Sequence, residues 1–295
     1  MAKVAVVAIV GRTNAGKSTL VNQLVGEKVS IVSPVEQTTR NTVRGIVADD
    51  RGQLVLLDTP GLHKAVGKLG TLLNRMARRS AAGTDAICVV FDASQEPQLE
   101  DIGWMQRIAR EKPEKVLFVL NKADKSPFFG EMFKEAWTGE MPIKWIKCIA
   151  TDPTSVAKVA DELFELAEEG ELLFDPDIVT DYPRKMAIAD IIREKYLGKL
   201  HQELPHELGI VVKTIREGEG RWDVKAEVVV NRESQKPIVI GRGAAIIKGV
   251  RQSAERELKE TFGVKVKLEL WARVEHGWME NPKILAEMGY LGAEI

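Results

Sequence analysis

Cysteine is almost missing from this chain, two residues in 295. Cys88 in AICVVFDA and Cys148 in KWIKCIA both lie inside apolar runs, which excludes a disulfide framework and a thiolate zinc site and predicts the reducing cytoplasm. Long apolar runs are lacking too, none approaching the ~18 residues of a membrane helix. Lys3 followed by VAVVAIV has the charge-then-apolar order of a signal peptide, but it runs straight into Gly11 without a cleavage site and reads as a buried first strand. Nor is there an excess of one charge. A net charge of −1 excludes a polycation that binds nucleic acid indiscriminately, so any RNA footprint is local. From Asp181 onward 20 Lys and Arg stand against 18 Asp and Glu, and before it 22 against 25. The asymmetry sharpens between Lys236 and Arg251, where Lys236, Arg242, Lys248 and Arg251 occur with no acidic residue among them.

With 44% hydrophobic and 29% charged residues, the composition is globular and the length suffices for two cores. Short β-branched runs alternate with longer amphipathic segments: KVAVVAIVG then KSTLVNQLV, QLVLLD then KLGTLLNRMARRSA, AICVVFD then EDIGWMQRIARE, KVLFVLN then a looser region, KWIKCIA then SVAKVADELFELAEE. That alternation predicts a doubly wound α/β domain with a mostly parallel sheet over 1–170. NTVRGIVADD and RGQLVLLD read as a hairpin giving one antiparallel edge strand. The periodicity breaks in 171–183, whose two prolines and four acidic residues predict a linker. Over 184–295 the order becomes helix (IADIIREKYLGKL), strand (GIVVKTIRE), strand (WDVKAEVVVNR), helix (AIIKGVRQSAERELKETF) and strand (VKVKLELWARV). This predicts a smaller α+β module with helices on one sheet face.

GRTNAGKST, Gly11 to Thr19, carries Gly-x-x-x-x-Gly-Lys-Ser, which arises by chance in roughly one chain in a hundred of this length. Here it follows a strand and opens a helix, the context in which such a loop cradles phosphates. Amides from Gly11 through Asn14, Ala15 and Gly16 to Thr19 would face the phosphates, Lys17 would neutralise the β and γ oxygens, and the Ser18 hydroxyl would ligate magnesium. In LLDTPG, Asp58 ends an apolar strand where its carboxylate can hold a magnesium-bound water, and Gly61 supplies an amide for the γ-phosphate. NKAD at the end of KVLFVLN reads the base. The Asp124 carboxylate accepts from guanine N1 and N2, a donor pair that adenine lacks, so GTP is selected over ATP. Asn121 would tie this loop to the phosphate loop, and the Lys122 stem can lie along the base.

GRTNAGKS, QTTR, DTPGLHK and NKAD together resemble the TrmE-Era branch of translation-factor-related GTPases. ELPHELGIVV, NRESQKPIVIG and WMENPKILAEMGY resemble the second domain of its KH-bearing members, so the likeness spans nearly the whole chain. It implies an α/β P-loop GTPase domain followed by a KH-type RNA-binding domain with a C-terminal tail. It also implies that QTTR is the first switch, with Thr39 as the second magnesium hydroxyl and Thr38 its near competitor. The position that carries a water-orienting glutamine in many GTPases is Leu62, and by the same likeness Asn14 would help to coordinate a potassium ion where an arginine finger would otherwise reach. The alternative for Asn14 is a plain turn residue. Thr13 and Ala15 replace the family's Pro and Val. Ile149-Ala150 replaces its guanine-closing Ser-Ala, leaving the Ala150 amide for guanine O6.

In the second domain the resemblance places the RNA loop at Gly241-Arg242-Gly243-Ala244, between a strand and a basic helix bearing Lys248 and Arg251. A Gly-x-x-Gly loop of this kind approaches the backbone of four single-stranded nucleotides. Ala244 departs from it, tolerable where its φ is negative. The likeness implies a magnesium-dependent, potassium-stimulated GTPase that binds the 3′ end of small-subunit ribosomal RNA and assists small-subunit assembly. It further implies a cytoplasmic monomer with peripheral contact at the inner face of the membrane. Two rivals remain: an RNA chaperone holding GTP as a structural ligand, and a GTPase whose second module binds protein.

Overall fold

The computed structural model describes residues 2–33, 35, 38–61, 67–200 and 204–290. It divides into two compact units, one built from 1–32, 39–65 and 70–181, the other from 33–38, 66–69 and 182–295.

The first unit contains β1 (Ala2–Val10), α1 (Lys17–Val25), β2 (Val43–Asp49), β3 (Gly52–Asp58), α2 (Gly67–Ala81, grouped here from Gly70), β4 (Ala86–Asp92), α3 (Leu99–Glu111), β5 (Val116–Asn121), α4 (Gly130–Ala136), β6 (Lys144–Lys147), α5 (Pro153–Leu166) and β7 (Glu168–Gly170). The sheet runs β2-β3-β1-β4-β5-β6. β2 is antiparallel to β3 at the edge, as the hairpin reading expects, and the other pairs along this path are parallel. Both faces are covered, which is why the strands are apolar throughout rather than alternating. Along β1, Ala5, Val7 and Ile9 enter one core, and Ala8 and Val10 enter the other.

Two departures occur where the linker begins. The helix expected through Glu169 ends at Leu166, and Glu168–Gly170 instead pairs antiparallel with the start of β1. The segment after it is tied down. Gln53, fully buried, accepts from the Leu173 and Phe174 amides and donates to the Phe174 carbonyl. The Ile46 amide donates to the Val179 carbonyl, and Arg44 pairs with Asp181. The acidic and proline-rich composition marks a boundary, but the backbone is held along the first unit's edge.

The second unit contains α6 (Arg184–Leu197), β8 (Gly209–Gly218), β9 (Arg221–Val230), α7 (Lys236–Ile240), α8 (Ala245–Phe262), β10 (Lys265–Val274) and α9 (Pro282–Glu287). β8 and β9 form a long antiparallel hairpin, and β10 adds parallel to β9. Ile188, Ile192 and Tyr196 of α6 and Val250, Ala254 and Leu258 of α8 share one buried cluster with the sheet. One element departs from expectation: the segment before the Gly241 loop, where a strand is expected, is the helix α7 (KPIVI). Pro237 in its first turn and Gly241 after its end are start and stop signals, and they outweigh the β-branched run. Among the described residues no helix is long and apolar enough to cross a membrane.

Candidate nucleotide and RNA sites

The phosphate loop joins β1 to α1, and its glycines are required by space and by φ. Gly16 caps α1 at φ +98°, and a Cβ there would lie 2.2 Å from Asn121 Nδ2. A Cβ on Gly61 would lie 2.6 Å from the Thr13 amide nitrogen. The first turn of α1 carries no acidic residue, so its amide dipoles face the loop uncompensated, the arrangement that favours an anion. Lys17 is buried and donates from Nζ to the Arg12 carbonyl at 2.7 Å. Burial pulls the pKa of its ammonium down to about 8, against the opposing pull of Asp58.

Ser18 Oγ and Thr39 Oγ1 are 3.0 Å apart. Thr38 Oγ1 is used elsewhere, donating to the Val35 carbonyl at 2.5 Å. Asp58 is fully buried, and among the described residues neither carboxylate oxygen has a hydrogen-bond partner. Burial raises its pKa, while the nearby Ser18 hydroxyl, Lys17 and Ser30 pull the other way, both hydroxyls lying outside bonding geometry. A buried, unpartnered carboxylate beside a pair of hydroxyls is a hard oxygen donor set that fits magnesium. Leu62, at the position of the missing glutamine, lies outside the described residues.

Asn14 is exposed at φ +59°, a backbone conformation that Asn tolerates better than most residues. The loop's shape thus accounts for part of the choice of Asn at this position.

At the other end of the site, Asn121 Nδ2 donates to the Ala15 carbonyl at 2.8 Å, the tie between the two loops that the sequence predicts. Its Oδ1 accepts from the Ala150 amide at 2.9 Å. The Ala150 N–H, which the sequence reading leaves for guanine O6, here braces Asn121. Asp124 sits at the surface, paired with Lys125 at 3.0 Å, and a hydrogen bond from that lysine lowers its pKa. Lys122, at φ +61°, sends Nζ to Asp92 Oδ2 at 2.6 Å.

Asp92 is the residue that sequence reasoning missed. It ends β4 in register with Asn121 of β5, and a carboxylate at the carboxyl end of a strand in a doubly wound sheet was the available signal.

In the second unit the loop geometry differs from expectation. Gly243 and Ala244 both adopt the left-handed conformation, at φ +59° and +64°. The negative φ on which tolerance of Ala244 depended is not found, and the loop joins two helices rather than a strand and a helix. Lys236, Gly241 and Arg242 line one cleft of about 450 Å³ together with Pro237, Ile240 and Glu233. Glu233 is an acidic neighbour that the basic run conceals. Lys248 and Arg251, farther along α8, are not among the residues lining this cleft.

The likeness to known proteins follows the same two units. Residues 6–122 match the family described as 50S ribosome-binding GTPase, and residues 203–279 match the KH domain. The chain is 36% identical over 293 residues to GTPase Era of Leuconostoc citreum, covering 96% of this chain and 95% of that protein. It is 34% identical over 294 residues to GTPase Era of Heliobacterium modesticaldum, covering 96% of each. Among solved structures, Era in complex with MgGDPNP and nucleotides 1506–1542 of 16S ribosomal RNA superposes with a TM-score of 0.90 at 32% identity, over 98% of this chain and 99% of that one. A point variant of Aquifex aeolicus Era bound to GDP and AlF4− gives 0.89 at 33% identity, again over 98% and 99%.

Proposed function

The chain belongs to the Era family of GTPases, and on that footing we propose how its own residues divide the work of a GTP-hydrolysing switch that binds small-subunit ribosomal RNA near its 3′ end and assists small-subunit assembly. Amides from Gly11 to Thr19 hold the phosphates, and Lys17 neutralises their β and γ oxygens. Asp124 reads guanine, while Asn121, braced by Ala150, holds the reading loop against the phosphate loop. Ser18, Thr39 and Asp58 would hold magnesium, which when bound offsets charge on the β and γ phosphates.

The observation that carries this assignment is the Ser18–Thr39 hydroxyl pair at 3.0 Å beside the unpartnered, buried Asp58 carboxylate. It also favours Thr39 over Thr38, whose hydroxyl is already spent on Val35. Thr39 lies on a loop able to close over the γ-phosphate and to relax once it leaves. Asn14, exposed on the phosphate loop, is the residue we assign to a potassium ion, its amide oxygen being a neutral hard donor.

For the second unit, the KH match, the cleft containing Lys236 and Arg242, and the RNA-bound relative support an RNA surface at Gly241–Ala244, with Lys248 and Arg251 farther along α8. The reading carries with it a cytoplasmic monomer with peripheral contact at the inner membrane face, checked by sedimentation and by fractionation of cell extract. Two measurements test the function. Thr39→Ala should lose magnesium-dependent GTP turnover while retaining GDP, and turnover equal to wild type removes Thr39 from the metal. Replacing Arg242 and Gly243 by aspartate should weaken single-stranded RNA binding and flatten its salt dependence by about one log-log unit per lost phosphate contact. Unchanged affinity and slope in the folded variant would instead favour a module that docks on protein.

A further inference from the structure

Four charged side chains, two cations and two carboxylates, cluster where the phosphate loop meets the guanine loop. Asp92 Oδ2 accepts from Lys122 Nζ at 2.6 Å and lies 3.3 Å from Arg12 Nη2. Its Oδ1 is held by the Ser94 amide at 3.1 Å and the Ser94 hydroxyl at 2.5 Å. The Arg12 guanidinium also lies 3.1 Å from Asp101 Oδ2, at the start of α3, and donates to Gln95. Asp92 is 1% exposed and Asp101 fully buried. Burial drives the Asp92 pKa up, but the bonds from Lys122 and Ser94 outweigh it and hold the carboxyl below the ordinary carboxylate range.

The two cations come from different loops of the site. Arg12 belongs to the phosphate loop, and its carbonyl accepts from Lys17. Lys122 belongs to the guanine-reading loop. A nucleotide spans a fixed distance from base to phosphates, so a site gains affinity when its two loops are held at that distance before binding. Asn121–Ala15 supplies one strut through a neutral amide.

We propose that Asp92 is a positioning residue that supplies a second, ionic strut, clamping Arg12 of the phosphate loop and Lys122 of the guanine loop to one buried carboxylate. This inference rests on reading the site as a guanine-nucleotide site, and wild-type binding of GDP tests that reading separately. Loss of one member leaves uncompensated charge in the interior, which destabilises any protein, so stability alone does not distinguish a strut from a structural pair.

The distinguishing experiment combines two substitutions. Asp92→Asn keeps the size of the side chain and its acceptor for Ser94 but leaves two cations facing one carboxylate. Adding Arg12→Gln restores neutrality with Lys122 and Asp101. Binding of a fluorescent GDP analogue and the thermal midpoint are measured on wild type, Asp92→Asn and the double variant. We expect Asp92→Asn to bind GDP at least tenfold more weakly, chiefly through faster dissociation, and the double variant to regain midpoint without regaining affinity. Affinity that recovers along with the midpoint, or Asp92→Asn binding GDP as wild type does, overturns the proposal. Should Asp92→Asn fail to fold, Asp92→Glu carries the test: the charge is kept and the carboxylate displaced by one methylene, so reduced GDP affinity supports the strut and wild-type affinity refutes it. A wild-type protein that binds no guanine nucleotide would refute the underlying reading instead.

Discussion

Ala244 offers a quantitative test of the KH loop, because its backbone stands where an L side chain is strained. It caps α8 at φ +64° and ψ +24°. The left-handed conformation costs a residue with a Cβ roughly 1–2 kcal/mol, and glycine adopts it freely. Ala244→Gly therefore relieves that strain in the folded state. Against this stands the greater freedom of glycine in the unfolded chain, about 0.4–1 kcal/mol. The balance is a net stabilisation of about 0.5–1 kcal/mol for the second unit, opposite in sign to the usual cost of a new glycine. Because two units need not unfold in one transition, the measurement is native-state hydrogen exchange at the buried α8 positions Val250, Ala254 and Leu258. Their exchange should slow by about two- to fivefold in the variant. Ala244→Val, β-branched at positive φ, should move exchange the other way. Faster exchange in Ala244→Gly would refute the strain argument. The same variant completes a Gly-x-x-Gly loop and removes a methyl from the proposed RNA surface, so single-stranded RNA should bind it more tightly than wild type.

Asp124→Asn presents a donor where guanine also donates; with two charge-assisted bonds worth roughly 1.5–3 kcal/mol each, GTP affinity should fall by about a hundredfold or more while XTP binding rises. Equal GTP affinity by competition would remove Asp124 from the base site. Turnover should be faster in potassium than in sodium at equal ionic strength, and Asn14→Ala should erase most of that difference while nucleotide binding survives. A cation-indifferent wild type would leave Asn14 as the turn residue that its φ already permits. Burial raises the Asp101 carboxyl to about 6, opposed by the Gln98 amide and Arg12, so between its unfolded value near 4 and about 6 the folded state holds the extra proton, and this group's contribution to stability declines as pH rises through that window. Asp101→Asn lacks that decline, and unfolding curves at pH 4.5 and 7 should show the variant gaining on wild type by about 1–3 kcal/mol; a constant difference would deny the buried charge.

Much of the nucleotide site was legible because its instructions are local. Gly11 to Ser18, Asp58 and Asn121 to Asp124 sit at strand ends, and each short motif specifies a turn whose backbone does the work. The same locality explains the errors. A strand is expected before the Gly241 loop, yet in KPIVI Pro237 and Gly241 bracket a single helical turn whose Val239 is buried. Ala244 reads as tolerable until φ is known. Farthest from view was Asp92. Its partners Arg12 and Lys122 lie on different loops, and the cluster they form with Asp101 sums to zero, so neither composition nor charge patterning marks it. Only the register of β4 against β5 puts Asp92 level with Asn121 and hence next to the guanine loop. In this sheet the strand end beside the one that bears the guanine loop carries the carboxylate that we propose spaces the two loops. Buried carboxylates at neighbouring strand ends are therefore the positions to weigh first when a motif supplies cations without partners.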